Sequence, residues 1–302
     1  MDEQAIRLKL FEWLNEQSLL NGGVFPRKQL AFEFVVNGRV ITLLGQTGIW
    51  TPAGFSMPIS ITTTTHGPYS DEFSEDGVLL YRYRGTDPNH RDNVGLRELM
   101  KQSIPLVYFN SIKPGKYVAV WPVFIIEDVR SELAVRVSID PVYMMSGRID
   151  SANLADSANL NNTLGVRKYI WVSIRQRLHQ AAFREYVLEA YDTRCTLCNL
   201  QHVELLEAAH IIPDPETGGE PVVPNGLSLC KIHHAAFDSN IIGISPDYLV
   251  KVREDILIEK DGPMLKYGLQ ALEGSKIILP RHKADHPDKD RLDSRYKRFL
   301  SA

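Results

Sequence analysis

The stretch that decides how this chain is read is NGLSLCKIHHAAFD, residues 225–238. It places one cysteine, two adjacent histidines and an aspartate in a run that should turn into a helix. Neighbouring side chains on a helix point about 100° apart. His233 and His234 therefore cannot easily face one site, and the pair invites two different tasks. Cys230 and His233 are separated by two residues, and upstream Cys195 and Cys198 repeat that spacing. Two such pairs supply the four thiolate or imidazole ligands that tetrahedral zinc takes. Three unrelated buried cysteines have no reason to fall into this pattern. We expect a structural zinc on Cys195, Cys198, Cys230 and His233, with no open position for water.

Between the two pairs lies ELLEAAHIIPD, residues 204–214, which reads as a strand with His210 near its end. PNGLSLC follows, and then the helix, on which Asp238 shares a face with His234. The order is His210, Asn225, His234. This resembles the HNH nucleases, which have the ββα-metal fold, and the cysteine pairs resemble those of its zinc-stapled members. Upstream, RLHQAAFREYVLEAYDTRC, residues 177–195, resembles the nuclease domains of type IV, modification-dependent restriction enzymes.

The resemblance implies roles for these residues. His210 would be the general base that deprotonates a water, a task suited to an imidazole. Asn225 would hold the loop between the strands so that His210 is aimed. His234 would bind a catalytic divalent ion, Mg²⁺ or Mn²⁺, with Asp238 placed as a second ligand or left as a surface acid. One departure stands out. Many HNH nucleases have Asp or His immediately before the base, and this chain has Ala209. Water, Asp238, or Glu207 on the same strand face would have to compensate. The ligand set and the metal stay open.

Outward from this region the text changes. The chain has 302 residues, enough for two domains with cores of their own. Its 44% apolar and 24% charged residues are ordinary for a globular protein. No apolar run approaches the roughly 18 residues of a membrane span, and the start carries acids instead of a signal-like apolar segment. With an odd cysteine count of three, this argues against a disulfide framework and leads us to expect a cytoplasmic protein. The net charge of −3 requires any nucleic-acid surface to be a local patch.

The spacing of Ile6, Leu10, Trp13 and Leu14 predicts a helix over 4–17, ended by the glycines at 22 and 23. From 30 to about 145 short β-branched and aromatic runs alternate with turn signals, and VVNGRVITL predicts a hairpin through Asn37-Gly38. One helix is expected near NVGLRELMKQ. The Ser/Asn/Asp/Ala-rich segment 146–166, with its repeated DSANL, reads as a linker. The expected class is α+β: a curled β-barrel domain over 1–145 with an N-terminal helix, the linker, and the nuclease domain over 167–302.

The text GPYSDEFSEDGVLLYRYRGTDPNHRDNVGLREL, residues 67–99, resembles the SRA domain, a PUA-like curled barrel that flips a modified cytosine out of DNA. The resemblance implies a base pocket at Tyr69 and Tyr83, which would stack on the base. A carboxylate, Asp71 or Glu72, would accept from its exocyclic amine. Arg82, Arg84, Arg91 and Arg97 would hold phosphates around the opened site.

Together these readings point to an endonuclease that recognises 5-methyl- or 5-hydroxymethylcytosine in double-stranded DNA and cuts nearby. A homodimer is expected, because HNH modules usually cut one strand. Two readings compete: a modified-DNA reader with an inactive nuclease scaffold, and a nuclease that reads unmodified sequence or another modification such as phosphorothioate.

Overall fold

The computed structural model describes residues 2–63, 72–73, 78–139, 163–260 and 262–302, with backbone alone for 72, 73, 139 and 163–175. The chain divides into two compact units, Met1–Ala181 and Ala182–Ala302. No described helix is long and apolar enough to cross a membrane.

The first unit opens with helix α1 (Glu3–Asn21), longer than the sequence predicts at both ends. Asp2 caps its N-terminus, and Gly22 stops it in a left-handed conformation at φ 62, where glycine carries no steric penalty. Ile6, Leu10, Phe11 and Leu14 line its buried face, together with Arg7. This cation is tolerated because it donates to the carbonyls of Pro105 at 3.1 Å and Pro58 at 2.8 Å. Burial lowers its pKa to about 10. Next come β1 (Val24–Pro26), α2 (Arg27–Phe32) and the hairpin β2 (Val35–Val36) with β3 (Arg39–Val40). Asn37 and Gly38 sit at φ 51 and 76, as a type I′ turn requires.

An eight-stranded sheet carries the rest of the unit. It is built from β1, β4 (Ile49–Trp50), β5 (Ser60–Thr63), β6 (Glu72–Phe73), β7 (Leu79–Arg82), β8 (Leu106–Lys113), β9 (Lys116–Val129) and β10 (Ala134–Ile139). The order is β4-β5-β8-β9-β10-β7-β6, with β1 also on β9. Helix α3 (Arg91–Gln102) connects β7 to β8, where NVGLRELMKQ predicted one. The long β9 pairs with β8 over its first half and with β10 over its second. Register shifts at Leu106/Tyr108, Ser111/Lys113 and Arg136/Val137 bend these ladders, and the sheet curls. Both faces are covered. Leu106 and Tyr108 enter one core with Leu96 and Leu99 of α3, while Val107 and Phe109 enter another with Leu10 and Leu14 of α1. This two-sided burial is why LVYF reads as an unbroken apolar run.

Helix α4 (Thr163–Ala190) contributes its turns from Ala182 onward to the second unit. The expected linker, 146–166, lies outside the described residues except for 163–166. The second unit continues with β11 (Leu206–His210), β12 (Gly226–Cys230) and α5 (Lys231–Asp238), in ββα order. An antiparallel strand pair follows as β13 (Ile242–Ile244) and β14 (Val250–Val252). Short helices α6 (Glu254–Ile258) and α7 (Pro263–Gly268) precede the C-terminal helix α8 (Lys289–Leu300). Phe183, Val187, Leu188 and Tyr191 of α4 share one core with the strands, with Phe237 of α5 and with Leu292 of α8. Arg291 pairs with Glu220 and Arg298 with Glu216, which ties α8 to the loop between β11 and β12.

Candidate active site and zinc centre

The four expected zinc ligands converge. Their donor atoms all lie within 4.8 Å of one another, and no other group of three or more His, Cys, Asp or Glu among the described residues does so. His233 Nδ1 lies 3.4 Å from Cys195 Sγ and 3.3 Å from Cys230 Sγ, and the sulfurs of Cys198 and Cys230 are 4.0 Å apart. Zinc with bonds of about 2.0–2.3 Å has tetrahedral edges of roughly 3.4–3.8 Å, so the cluster fits that ion. The second ring nitrogen of His233 is also accounted for. Nε2 lies 2.7 Å from the carbonyl of Gly268 at the end of α7, which places the proton there and leaves Nδ1 for the metal. The buried Thr196 anchors the first knuckle by donating from its hydroxyl to Ile278 O at 2.6 Å.

His210 ends β11 opposite Gly226 of β12. The reason for glycine there is spatial. A Cβ on Gly226 would lie 2.4 Å from Val187 Cγ2 and 2.9 Å from Phe183 Cζ. Helix α4 therefore packs directly on this strand, and Phe183 reaches across to stack on the His210 ring at 4.0 Å between centroids and 19° between planes. His210 Nε2 is enclosed and has no hydrogen-bond partner. Burial holds the imidazole below the ordinary histidine range, and the nearby His234 adds to this, while Asp214 and Asp238 pull the other way. That direction favours the neutral ring, the form able to accept a proton.

Asn225 is fully buried. Its Oδ1 accepts from Ile212 N at 2.9 Å, and its Nδ2 donates to Ile212 O at 3.0 Å and Glu220 O at 3.1 Å. Its own carbonyl accepts from Ile211 N at 2.9 Å. Asn225 thus closes the loop between β11 and β12 on the two residues that follow His210, on Ile212 with its side chain and on Ile211 with its backbone carbonyl.

On α5, His233 faces the cysteines, and His234, one position on, faces β11. His234 Nδ1 is 2.7 Å from Glu207 Oε2, and Nε2 is 3.3 Å from Asp238 Oδ2. Ala209 is fully buried in the core. A carboxylate suits a hard divalent ion and an imidazole a borderline one, and the two lie 3.3 Å apart, close enough to share one ion. Arg295 of α8 lies over the Phe237 ring at 4.7 Å and donates to the carbonyl of Phe237 and to Asn240 Oδ1, bracing the end of α5 beside Asp238.

In the first unit, Tyr69 and Asp71 lie outside the described residues, and Glu72 is described only as backbone of β6. Two expectations need correction. The Tyr83 ring is 2% exposed and belongs to the core, so it offers no open face to a base. Only its hydroxyl meets polar partners, Asp128 Oδ1 and Arg97. Arg97 is likewise buried, with its guanidinium committed to Tyr83 Oη at 3.1 Å and Pro88 O at 2.8 Å, and is not available to a phosphate. Arg82 donates to Glu132 O, Arg84 pairs with Asp92 at 2.7 Å, and Arg91 is exposed beside the same carboxylate.

The sequence reading missed three contributors. Phe183 lies one helical turn before Val187, a spacing that marks a buried face, but its stacking on His210 has no local signature. The Gly268 carbonyl carries no side-chain signal at all. Asp128, the partner of Tyr83, is one of two adjacent acids near the end of β9, and nothing local singles it out.

The fold and site define a class. Residues 195–245 match the family profile described as HNH endonuclease. This HNH endonuclease segment lies within the second unit, and supports a metal-dependent DNA endonuclease. Comparison with curated proteins gave no significant match. Among solved structures, the chain is similar to the modification-dependent TagI restriction endonuclease, with 16% identity over 90% of each chain and a TM-score of 0.30. It is also similar to the type IV phosphorothioation-dependent restriction endonuclease ScoMcrA, with 14% identity over 63% of this chain and 54% of that one and a TM-score of 0.23.

Proposed function

We propose that the protein is a modification-dependent DNA endonuclease in which the first unit reads a 5-substituted cytosine and the HNH unit hydrolyses a nearby phosphodiester. The observation that carries the nuclease assignment is the placement of His210. It is a stacked imidazole at the end of β11, its neutral form favoured, with the donor pair His234 and Asp238 near enough to affect its charge. In this reading His210 takes the proton of the attacking water. Asn225 fixes the backbone after His210 and so its aim. His234 and Asp238 hold the divalent ion, Mg²⁺ or Mn²⁺. When bound, that ion supplies Lewis-acid stabilisation of the charge on the phosphate and the leaving 3′ oxygen. Cys195, Cys198, Cys230 and His233 hold a structural Zn²⁺ that keeps α5 against β12.

Recognition of the base rests on the sequence resemblance to SRA domains and on the curled sheet. With Tyr83 buried, stacking falls to Tyr69 and the amine contact to Asp71 or Glu72. Arg84 and Arg91 are the phosphate contacts that remain exposed. A homodimer would deliver one cut to each strand.

The test is binding and cleavage of identical duplexes carrying C, 5-methylcytosine or 5-hydroxymethylcytosine, with Mg²⁺ or Mn²⁺. The proposal expects binding and cleavage to favour the modified duplexes. Equal treatment of all three would remove the cytosine reading. Preference for a phosphorothioate duplex would replace it.

A further inference from the structure

Resting on the assignment of His234 and Asp238 to the catalytic ion, we propose that Glu207 is the positioning residue for that ion. Its carboxylate holds the His234 ring through Nδ1 and so aims Nε2 at the metal. Three observations carry this. Glu207 Oε2 and His234 Nδ1 are 2.7 Å apart, although one belongs to β11 and the other to α5. Asp238 meets the opposite nitrogen, Nε2, at 3.3 Å. Glu207 and Asp238 do not join His234 in a single group of three donors, since the Cys/His cluster is the sole such group among the described residues. The two acids thus flank the imidazole from opposite edges, one placed as an anchor and the other as a co-ligand.

The chemistry follows from what a carboxylate can do. An ionised carboxylate only accepts hydrogen bonds, so the imidazole proton must sit on Nδ1. Asp238 faces Nε2 in the same way, and a bound divalent ion would take the place of the proton between Nε2 and that carboxylate. Carboxylate–imidazole pairs of this kind fix the ring orientation and raise the basicity of a metal ligand. Strand geometry explains why Glu207 has the task. Residues 207 and 209 share a face of β11, and residue 210 lies on the other. At 209 the side chain is a methyl group in the core. Glu207 is then the carboxylate that this face of β11 presents to α5.

The experiment uses the zinc-loaded full chain and titrates Mn²⁺, with binding followed by calorimetry and by the Mn²⁺ paramagnetic resonance signal. Glu207→Ala should weaken Mn²⁺ binding about 10–100-fold and raise the Mn²⁺ concentration for half-maximal cleavage by the same factor. Zinc content should be unchanged. Glu207→Gln should stay within a few-fold of the native affinity, because its amide oxygen still accepts from Nδ1–H. Unchanged affinity in Glu207→Ala overturns the proposal. Equal losses in the Ala and Gln variants also overturn it, by making Glu207 a direct ligand. His234→Ala separates the underlying reading. If it too binds Mn²⁺ with native affinity, the ion is not on His234, and the site assignment itself fails.

Discussion

Phe183 lies flat against His210, with ring centroids 4.0 Å apart. One face of the imidazole is thereby withdrawn from water, and burial is the largest cause of its lowered pKa. The position also sits in the domain core, so truncation to Ala would cost about 3–5 kcal/mol. Phe183→Leu keeps more of the volume and should cost on the order of 1 kcal/mol. It should bring the His210 pKa back up toward the ordinary 6.5 or so. In the proposed mechanism His210 works as a base only when neutral, so cleavage falls as pH drops through that pKa. The acid limb of the rate profile should therefore move to higher pH in Phe183→Leu, read by single-turnover cleavage from pH 5 to 8. An acid limb that does not move would remove burial by Phe183 as the tuning device.

Asn225 closes three hydrogen bonds in a site with no exposure to water. Asn225→Ala leaves the Ile212 amide and carbonyl without partners, at about 1–3 kcal/mol for each buried group. Asn225→Asp places a second acceptor against the carbonyls of Ile212 and Glu220 and should be no better. Both variants should melt earlier and lose cleavage by more than tenfold while keeping their zinc. A native-like rate in either would show that the loop does not need this clamp to aim His210.

The two adjacent histidines of α5 should separate cleanly by experiment. His233 supplies the Nδ1 of the zinc set and meets the Gly268 carbonyl with Nε2. His233→Ala should release zinc and unfold the second unit, as should removal of the metal with a strong chelator. His234, whose side chain is 23% exposed, meets Glu207 and Asp238 with its ring nitrogens, so His234→Ala should remain folded with one zinc per chain and still bind DNA without cutting it. Metal analysis by mass spectrometry and thermal melting distinguish the two. Loss of zinc in His234→Ala would contradict the division of labour.

What was legible in the sequence is what depends on short spacings. The Cys-x2-Cys and Cys-x2-His pairs, the His-Asn-His order, the Asn-Gly hairpin and the apolar stripe of α1 all encode local geometry. What was not legible depends on packing between distant segments. The stack of Phe183 on His210 and the zinc-side contact to Gly268 O join residues far apart in the chain. Tyr83 is instructive because the signal was present. Leu79, Tyr81 and Tyr83 alternate with Leu80 and Arg82 along β7 and one residue past its end, and all three of the first set lie in the core. Reading that alternation as burial places the Tyr83 ring inside the sheet. Arg97 misled because an arginine in the buried face of a helix is rare. Its retention depends on acceptors, Tyr83 Oη and Pro88 O, that only the folded chain brings to it.

The most direct measurement compares wild type with His210→Ala in plasmid cleavage with Mg²⁺ or Mn²⁺, on DNA bearing the preferred modification. Both proteins should carry zinc and remain folded, because the enclosed Nε2 of His210 has no hydrogen-bond partner for the fold to lose. The account predicts that wild type cuts and that His210→Ala binds the same DNA but loses at least about 10²-fold in rate, the usual contribution of a general base. Equal cleavage by the two proteins would contradict it.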